Sequence, residues 1–229
     1  MSRREELAAG LAAVEQRVGA ACEDAGRPRS DVVLVAVSKT WPGSDVALLA
    51  ELGVVDFGEN KDQEAAAKAA GLPGVRWHFL GRLQTNKARS VASYATAVHS
   101  LDRPRLADAL SGGAERAGRT LDVLVQVSLD GDPDRGGAAP GDVPALADRA
   151  AGLPGLRLAG LMAVAPLGEE PARAFARLAE LSRTLRRDHP AAVEVSAGMS
   201  GDLEAAVRAG ATSVRVGTAL FGHRPPHLR

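Results

Sequence analysis

The sequence predicts an α/β fold, a single (β/α)8 barrel of the TIM type with an extra helix at its N-terminus. Three observations predict it. Eight short apolar runs are each followed by a helix or helical turn, and the 229 residues come close to the roughly 250 that are typical of this barrel. No Pro-, Gly- and Ser-rich linker divides the chain. We therefore expect residues 1–229 to form one domain.

The first half of the chain predicts the N-terminal helix and four strand-helix units. Ser2 and Glu5 fit a capping box, which is typical of a helix start, and an apolar stripe follows at helical spacing (Leu7, Leu11, Val14, Val18). The strand candidates are, in order, "VVLVAVS", "VVDFGEN", "RWHFLGR" and "AVHSLD". Helical patterns follow them from about Ser44 to Leu52 and in "QEAAAKAAG", "NKARSVASY" and "RPRLADALSGGAERAG".

The second half repeats the rhythm. Its strand candidates are "LDVLVQVSLD", "LRLAGLMAV", "AVEVSAG" and "SVRVGTALFG", and its helical patterns are "VPALADRAAG", "ARAFARLAELSRTLRRD" and "GDLEAAVRAG". The loop from Asp130 to Asp142 is rich in Gly and Pro but falls between a strand and its helix, so we interpret it as a long mobile loop.

A doubly wound open sheet would show the same alternation of strands and helices. However, the turn "SKTWPGSD" lacks its glycine fingerprint, and no Walker-type phosphate loop occurs.

Composition narrows the classes of function. The 28 Lys and Arg residues balance 28 Asp and Glu residues, so no excess charge favours nucleic acid or an anionic membrane as partner. The N-terminal segment is charged where a signal peptide needs an apolar core, and no later segment approaches a membrane span. We therefore expect a cytoplasmic protein. We also expect no bound metal, because the histidines show no ligand spacing.

Active sites of (β/α)8 barrels lie at the carboxyl ends of the strands, so Lys39 after the first apolar run is a candidate functional residue. Such a lysine is either a salt-bridged structural residue or an amine held partly out of water to react with a carbonyl group. Polar residues follow most of the other predicted strands too, but this pattern also occurs in proteins generally.

The loops after the seventh and eighth strands have the composition of a phosphate site. "SAGMSGDLEAAV" and "VRVGTALFG" are small-residue turns that open helices, and barrels of this class frequently bind phosphate there. Alternatively, Ser200 only caps its helix and Gly217 only turns the chain. A lysine opposite a phosphate site indicates a phosphorylated carbonyl compound. Pyridoxal 5'-phosphate is the first candidate, and sugar-phosphate aldolases use similar logic with a lysine from a later strand.

Seven motifs in order resemble the YggS/PROSC family of pyridoxal-phosphate-binding proteins: "VAVSKTWP", "FGENKDQE", "WHFLGRLQTNK", "HSLDR", "LAGLMAVAP", "SAGMSGDLEAAVRAG" and "VRVGTALFG". The resemblance covers nearly the whole chain. It implies a barrel similar to the N-terminal domain of alanine racemase and a role in pyridoxal phosphate homeostasis, in which the protein binds, stores and hands on the cofactor.

The resemblance also implies roles for individual residues. Lys39 would form a Schiff base with the cofactor, Arg215 would approach its pyridine nitrogen, and Asn60 would lie near its ring. The phosphate would be held by Met199, Ser200, Gly217 and Thr218. The sequence departs from the family pattern where "LSMGMS" is "VSAGMS", where "GENYVQE" is "GENKDQE", and where a Lys-x-Gly element has Arg135 in the basic place.

Turnover is not expected from this constellation. A permanently cationic Arg215 disfavours protonation of the pyridine nitrogen, which weakens carbanion chemistry. The single tyrosine, Tyr94, falls in a helix, where we interpret it as packing and not as a second base. The sequence therefore favours a monomeric, non-catalytic carrier of pyridoxal phosphate. A racemase of the alanine racemase type is the alternative, and a third hypothesis is an interaction module that delivers the cofactor to pyridoxal-phosphate-dependent apoenzymes.

The remaining polar residues receive structural interpretations. We expect His78 and His99 to be buried and hydrogen-bonded. Glu59 either orients Lys39 or Asn60 or caps the second barrel helix, and we favour the cap. Lys87 and Arg89 are expected on a solvated helix face, whereas Arg82 would lie at the barrel mouth and could meet a second anion or a client protein.

Overall fold

A computed structural model describes residues 1–132 and 135–222, in which strands and helices alternate after an N-terminal helix. The strands are β1 (Val33–Val37), β2 (Asp56–Glu59), β3 (Arg76–Phe79), β4 (Ala97–Leu101), β5 (Leu121–Gln126), β6 (Leu156–Met162), β7 (Glu194–Ser196) and β8 (Ser213–Val216). The helices are α1 (Arg3–Asp24), α2 (Gly43–Glu51), α3 (Asp62–Gly71), α4 (Ala88–Tyr94), α5 (Pro104–Ala117), α6 (Val143–Ala151), α7 (Pro171–Asp188), α8 (Leu203–Arg208) and α9 (Thr218–Phe221).

The strands are parallel and pair in the order β1 to β8, and β8 returns to β1 to close a barrel. Val33 of β1 lies opposite Ser213 of β8, and Val37 lies opposite Gly58 of β2. The predicted (β/α)8 barrel with its additional N-terminal helix is therefore confirmed, and the open sheet is not formed. Pro133 and Asp134 of the predicted loop after β5 lie outside the described residues.

The N-terminal helix α1 begins at the predicted capping box, in which the backbone N–H of Glu5 donates to the Ser2 hydroxyl. Its apolar stripe is buried at Leu7, Val14 and Val18 in a cluster that includes Phe221 of α9. The helix thereby covers the side of the barrel next to β1 and β8, from which Lys39 and the predicted phosphate loops emerge. Within the described ranges, no helix combines the length and the hydropathy needed to cross a bilayer.

The outer faces of the strands are apolar, but the barrel interior is largely polar. Trp77 and Phe79 pack outward against the helices, so His78 between them points into the barrel, because side chains alternate along a strand. The apolar cluster of the interior is small and consists of Leu124, Ala159 and Met162 with Val164 packed against it. The polar remainder of the interior connects the two ends of the barrel.

Candidate functional site

A cavity of about 300 Å³ opens at the carboxyl end of the barrel, a size at the lower limit of small-molecule sites. The structure brings all seven predicted binding residues to its wall: Lys39, Asn60, Met199, Ser200, Arg215, Gly217 and Thr218. Apolar side chains complete the wall, namely Val37, Trp41, Leu80, Met162 and Val164. Residues from both halves of the sequence therefore meet in one site.

Lys39 follows β1 directly and lies in the cavity wall. Its side chain is exposed, so the expectation of an amine held partly out of water is wrong for this structure. Within the described ranges its amine forms no hydrogen bond and no ion pair. The other lysines differ: Lys61 and Lys68 pair with carboxylates, and Lys87 is exposed away from the cavity, as predicted. Lys39 thus combines an unpaired amine with a place in a cavity.

The turn after Lys39 is held in an uncommon backbone conformation. Thr40 has a φ of +68°, in the left-handed region that a β-branched residue rarely adopts. Its backbone N–H donates to Glu64 Oε2 of α3 at 3.1 Å, and the backbone N–H of Trp41 donates to the Ser38 carbonyl at 3.0 Å. These contacts stabilise the turn and fix the direction in which Lys39 leaves the strand.

A buried ion pair lies directly beneath this turn. Lys68 of α3 contacts the carboxylate of Glu59 and donates to the Ser38 carbonyl at 2.9 Å, and the Ser38 hydroxyl donates to Glu59 Oε1 at 2.6 Å. Glu59 is 1% exposed and Lys68 10%. The prediction that Glu59 caps a helix is wrong, because Glu59 belongs to β2 and its charge is needed to hold Lys68. Sequence reasoning missed Lys68, since nothing in its alanine-rich helix distinguishes it from a solvated lysine.

The loop after β7 and the start of α9 together present free backbone N–H groups. Ser200, Gly201 and Thr218 form no backbone N–H hydrogen bonds within the described residues, and all three line the cavity. The N–H of Met199, in contrast, is already bonded to Asp202 Oδ1 at 2.6 Å. Because converging backbone N–H groups favour anions, the loops suit a phosphate group.

Ser200 does not cap its own helix, which was the alternative prediction. Its hydroxyl accepts a hydrogen bond from the backbone N–H of Ala219 at 3.2 Å and so ties the loop after β7 to α9. The loop itself depends on Gly198, whose φ is +89° and whose added Cβ would lie 2.7 Å from the Ala206 side chain. The two parts of the candidate anion site are therefore fixed relative to each other.

Arg215 lies at the floor of the cavity, in the third position of β8. It is 5% exposed, and its guanidinium donates to the Ser196 hydroxyl at 2.6 Å and to the Ala163 carbonyl at 2.9 Å. Burial lowers the pKa of Arg215 to about 10, so the group remains cationic at neutral pH. In the described part of the chain no carboxylate forms an ion pair with it. Its charge is thus available to a ligand.

Asn60 and Trp41 form another part of the cavity wall, which they share with Lys39 and Arg215. Asn60 follows β2 and is approached so closely by Gly81 that a Cβ there would lie 2.2 Å from the Asn60 carbonyl oxygen. Trp41 stacks on Phe221 with ring centroids 5.8 Å apart, and the Arg3 guanidinium lies 4.6 Å from its ring centre. The wall is therefore supported by α1, α9 and the loop after β3.

The interpretations of the other polar residues are largely confirmed. Tyr94 ends α4 on the outside of the barrel, where its hydroxyl contacts Asp62 Oδ1 at 3.3 Å. Burial, followed by the charge of Asp62, raises the pKa of Tyr94 above its usual range, so the phenol is not a base at neutral pH. His78 and His99 are hydrogen-bonded as predicted, but only His99 is buried, whereas His78 is half-buried. Arg89 is exposed. Arg82 is exposed beside a second cavity at the barrel mouth.

Comparison with known proteins supports these observations. The family model of the alanine racemase N-terminal domain matches residues 11–225. The chain is 43% identical over 219 residues to a pyridoxal phosphate homeostasis protein of Corynebacterium glutamicum, covering 93% of this chain and 99% of that protein. It is 45% identical over 223 residues to a protein of the same name from Pseudomonas aeruginosa, covering 95% and 96% of the two chains.

Solved structures show the same fold. PipY of Synechococcus elongatus, solved with pyridoxal phosphate bound, is 37% identical and superimposes with a TM-score of 0.80 over 91% of this chain and 100% of PipY. A protein of unknown function from Bifidobacterium adolescentis is 31% identical, with a TM-score of 0.89 over 95% of each chain. Alanine racemase of Clostridium difficile, at 15% identity and a TM-score of 0.76 over 96% of this chain and 60% of its own, shares the fold alone.

Proposed function

This chain belongs to the alanine racemase N-terminal domain family and, within it, to the pyridoxal phosphate homeostasis proteins, and we propose that it carries pyridoxal 5'-phosphate on Lys39. The observation that carries the proposal is that one cavity holds an amine and a set of backbone N–H groups that have no partners among the described residues. An aldehyde and a phosphate on one small molecule would satisfy both.

The donor set of the cavity fits this cofactor. We propose that the phosphate binds to the loops that contain Met199, Ser200, Gly217 and Thr218, with the N–H groups of Ser200, Gly201 and Thr218 as donors. Arg215 supplies a buried cation for the pyridine nitrogen, which is an acceptor, and Asn60 and the apolar wall border the ring. Lys39 supplies the amine for a Schiff base.

We propose that the protein stores the cofactor and does not turn over substrate. Pyridoxal phosphate, when bound, can withdraw electrons from an attached amino acid, and it does so best when its pyridine nitrogen is protonated. Arg215 can donate to that nitrogen but has no basic site to accept its proton, so it keeps the ring a weak electron sink.

An amino-acid racemase needs a second base on the far side of its substrate. The single tyrosine is outside the barrel, does not line the cavity, and stays protonated. The racemase alternative therefore has no observation in its favour. We further propose that the chain works as a monomer in the cytoplasm, that residues 1–229 act as one domain, and that it hands the cofactor to apoenzymes. The exposure of Lys39 supports transfer, since an incoming amine can reach it.

The proposal is tested by titrating the purified protein with pyridoxal phosphate and recording its visible absorbance. We expect saturable binding with the band of a protonated Schiff base, and loss of that band in Lys39→Ala but not in Lys87→Ala, in which an exposed lysine is removed. Assays of alanine racemisation on the same sample should show no turnover. A band that persists in Lys39→Ala would refute the carrier role of this residue, and steady racemisation would favour the enzyme.

A further inference from the structure

A row of five hydrogen-bonded side chains crosses the barrel interior from β2 to β8. His78 Nε2 lies 2.8 Å from Asp56 Oδ1, and His78 Nδ1 lies 2.9 Å from His99 Nε2. His99 Nδ1 then lies 2.8 Å from the Ser196 hydroxyl, which accepts from Arg215 Nη1 at 2.6 Å. We call this row, made of Asp56, His78, His99, Ser196 and Arg215, the interior network.

The interior network joins two cavities at opposite ends of the barrel. Arg215 lines the cavity that contains Lys39, while Asp56, His78 and His99 line a cavity of about 300 Å³ at the amino end. The middle of the network is closed to solvent, since His99 is 1% exposed and Ser196 0%. Each of these buried groups therefore depends on its neighbours in the network for a hydrogen-bond partner.

The direction of every hydrogen bond follows from Arg215. A guanidinium only donates, so the Ser196 oxygen accepts from it, and among the described residues the single Ser196 proton has only His99 Nδ1 as an acceptor. His99 must then carry its own proton on Nε2 and donate to His78 Nδ1. His78 in turn carries its proton on Nε2 and donates to Asp56. In this direction each ring places a proton on Nε2 and an acceptor on Nδ1.

The charges around the interior network agree with this arrangement. Burial, the His78 ring and the Arg215 cation all lower the pKa of His99, which keeps its ring neutral. Burial of Asp56 acts to raise its pKa, but hydrogen bonds from His78 and Arg76 outweigh it and lower that pKa overall. The other charged groups that line this cavity are Asp31, Asp122 with its partner Arg157, and Glu194. The network therefore runs from a carboxylate to the Arg215 guanidinium.

We propose that Ser196, His99, His78 and Asp56 are positioning residues that hold the Arg215 guanidinium in one orientation toward the ring of the bound cofactor. The inference rests on the proposed function. Without the Ser196 hydroxyl, Arg215 keeps only the Ala163 carbonyl as an acceptor among the described residues, and His99 Nδ1 loses its donor. The guanidinium can then rotate, and the cofactor meets a cation whose direction is no longer fixed.

The tautomers are tested directly by nitrogen NMR on protein labelled at histidine, without added cofactor. Two of the histidine signals, assigned by His78→Gln and His99→Gln, should show a proton on Nε2 and an unprotonated Nδ1 at neutral pH. A His99 ring protonated on Nδ1, or on both nitrogens, would overturn the proposed direction of the network.

The effect on the cofactor is tested with Ser196→Ala, matched by Ser213→Ala. Ser213 is also buried in a neighbouring position of the barrel but its hydroxyl has no partner among the described residues. We expect Ser196→Ala to weaken pyridoxal phosphate binding roughly tenfold, as for loss of a hydrogen bond to a charged group, and to shift the absorbance band. Ser213→Ala should change neither.

Ser196→Thr keeps the hydroxyl and should restore wild-type binding, which distinguishes positioning from a general packing defect. Equal affinity and equal spectra for wild type, Ser196→Ala and Ser213→Ala would overturn the inference while leaving cofactor binding on Lys39 intact. If the wild-type protein itself fails to bind pyridoxal phosphate, the proposed function fails, and the NMR result still decides the direction of the hydrogen bonds.

Discussion

The two ends of the barrel differ in whether their cations are paired with carboxylates. At the amino end, Arg76 and Arg157 each form two hydrogen bonds to an aspartate of the neighbouring strand, Asp56 and Asp122. At the carboxyl end, Lys39 and Arg215 line the cavity and neither forms an ion pair within the described part of the chain. A structural cation is neutralised by its neighbours, whereas a cation that lines the cavity without a carboxylate is left for a ligand.

Lys68 shows that this distinction belongs to individual residues and not to a whole end of the barrel. It lies at the carboxyl end, close in sequence to the cavity residue Asn60, yet its charge is neutralised by Glu59. Lys68 is therefore structural by the same criterion that makes Lys39 functional. The predictions below test this criterion, beginning with the largest expected effect.

Replacing Lys68 should destabilise the protein most. In Lys68→Ala the carboxylate of Glu59, which is 1% exposed, loses the cation that compensates its charge. We expect the free energy of unfolding in urea to fall by about 3 kcal/mol, as for one partner removed from a buried ion pair. The double variant Glu59→Gln with Lys68→Met should recover most of that loss. A stability loss below about 0.5 kcal/mol would place Lys68 with the solvated lysines.

Replacing Arg215, in contrast to Lys68, should weaken cofactor binding far more than it lowers the free energy of unfolding. Arg215 is a buried cation without a carboxylate partner among the described residues. Arg215→Met removes its hydrogen bonds to Ser196 and Ala163, which costs stability, but it also removes the free-energy cost of burying the charge, so the two effects nearly cancel. We expect the free energy of unfolding to change by less than about 1 kcal/mol and pyridoxal phosphate binding to weaken about a hundredfold. Urea unfolding and absorbance titration on one preparation measure both. A large stability loss with unchanged binding would reverse the assignment.

The interior network links the two ends and should make stability depend on pH. The pKa of His99 is well below the value of about 6.5 for a histidine in an unfolded chain. As the pH falls below about 6.5, the unfolded state binds a proton that the folded state does not, so stability present above this pH is progressively lost. We expect a slope of up to about 1.4 kcal/mol per pH unit.

Urea unfolding from about pH 7.5 down to about pH 5 checks this slope. The slope should be shallower in His99→Asn, which removes this histidine. An identical slope in wild type and His99→Asn would show that His99 takes up its proton without unfolding.

The smallest effect is expected at the amino end, at an ion pair that is not itself part of the interior network. Asp122→Ala breaks the pair with Arg157, whose side chain is 61% exposed, so water replaces much of what is lost. We expect a stability loss of less than about 1 kcal/mol and unchanged affinity for pyridoxal phosphate. A clear loss of affinity would mean that the paired end also acts on the cofactor site.

Much of this molecule could be predicted from its sequence. Each apolar run reports one strand, and strand ends of a barrel converge, so Lys39 and the loops that hold Ser200 and Gly217 could be expected to meet. The contacts beneath the site could not. The sequence predicts a helix cap for Glu59, whereas its actual partner is Lys68 of α3. Spacing along the sequence does not report the distance between side chains of two different elements, so this contact could not be predicted.

The interior network could not be predicted from the sequence for a different reason. The sequence predicts that His78 and His99 are buried and hydrogen-bonded, but their partners Asp56 and Ser196 lie on two other strands, β2 and β7, and depend on the stagger of the barrel. One signal was available: Asp56, Asp122 and Glu194 introduce charge into short strands whose neighbours are apolar, which indicates a polar barrel interior.

The central claim, that the unpaired Lys39 and not one of the paired or solvated lysines captures the cofactor, is tested most directly by peptide mapping. The protein is mixed with one equivalent of pyridoxal phosphate, reduced with borohydride, digested and analysed by mass spectrometry. The sequence has four lysines, Lys39, Lys61, Lys68 and Lys87, so each candidate can be resolved. We predict one reduced pyridoxal phosphate per chain, on the peptide that contains Lys39. Modification at another lysine, or none at all, would contradict the account.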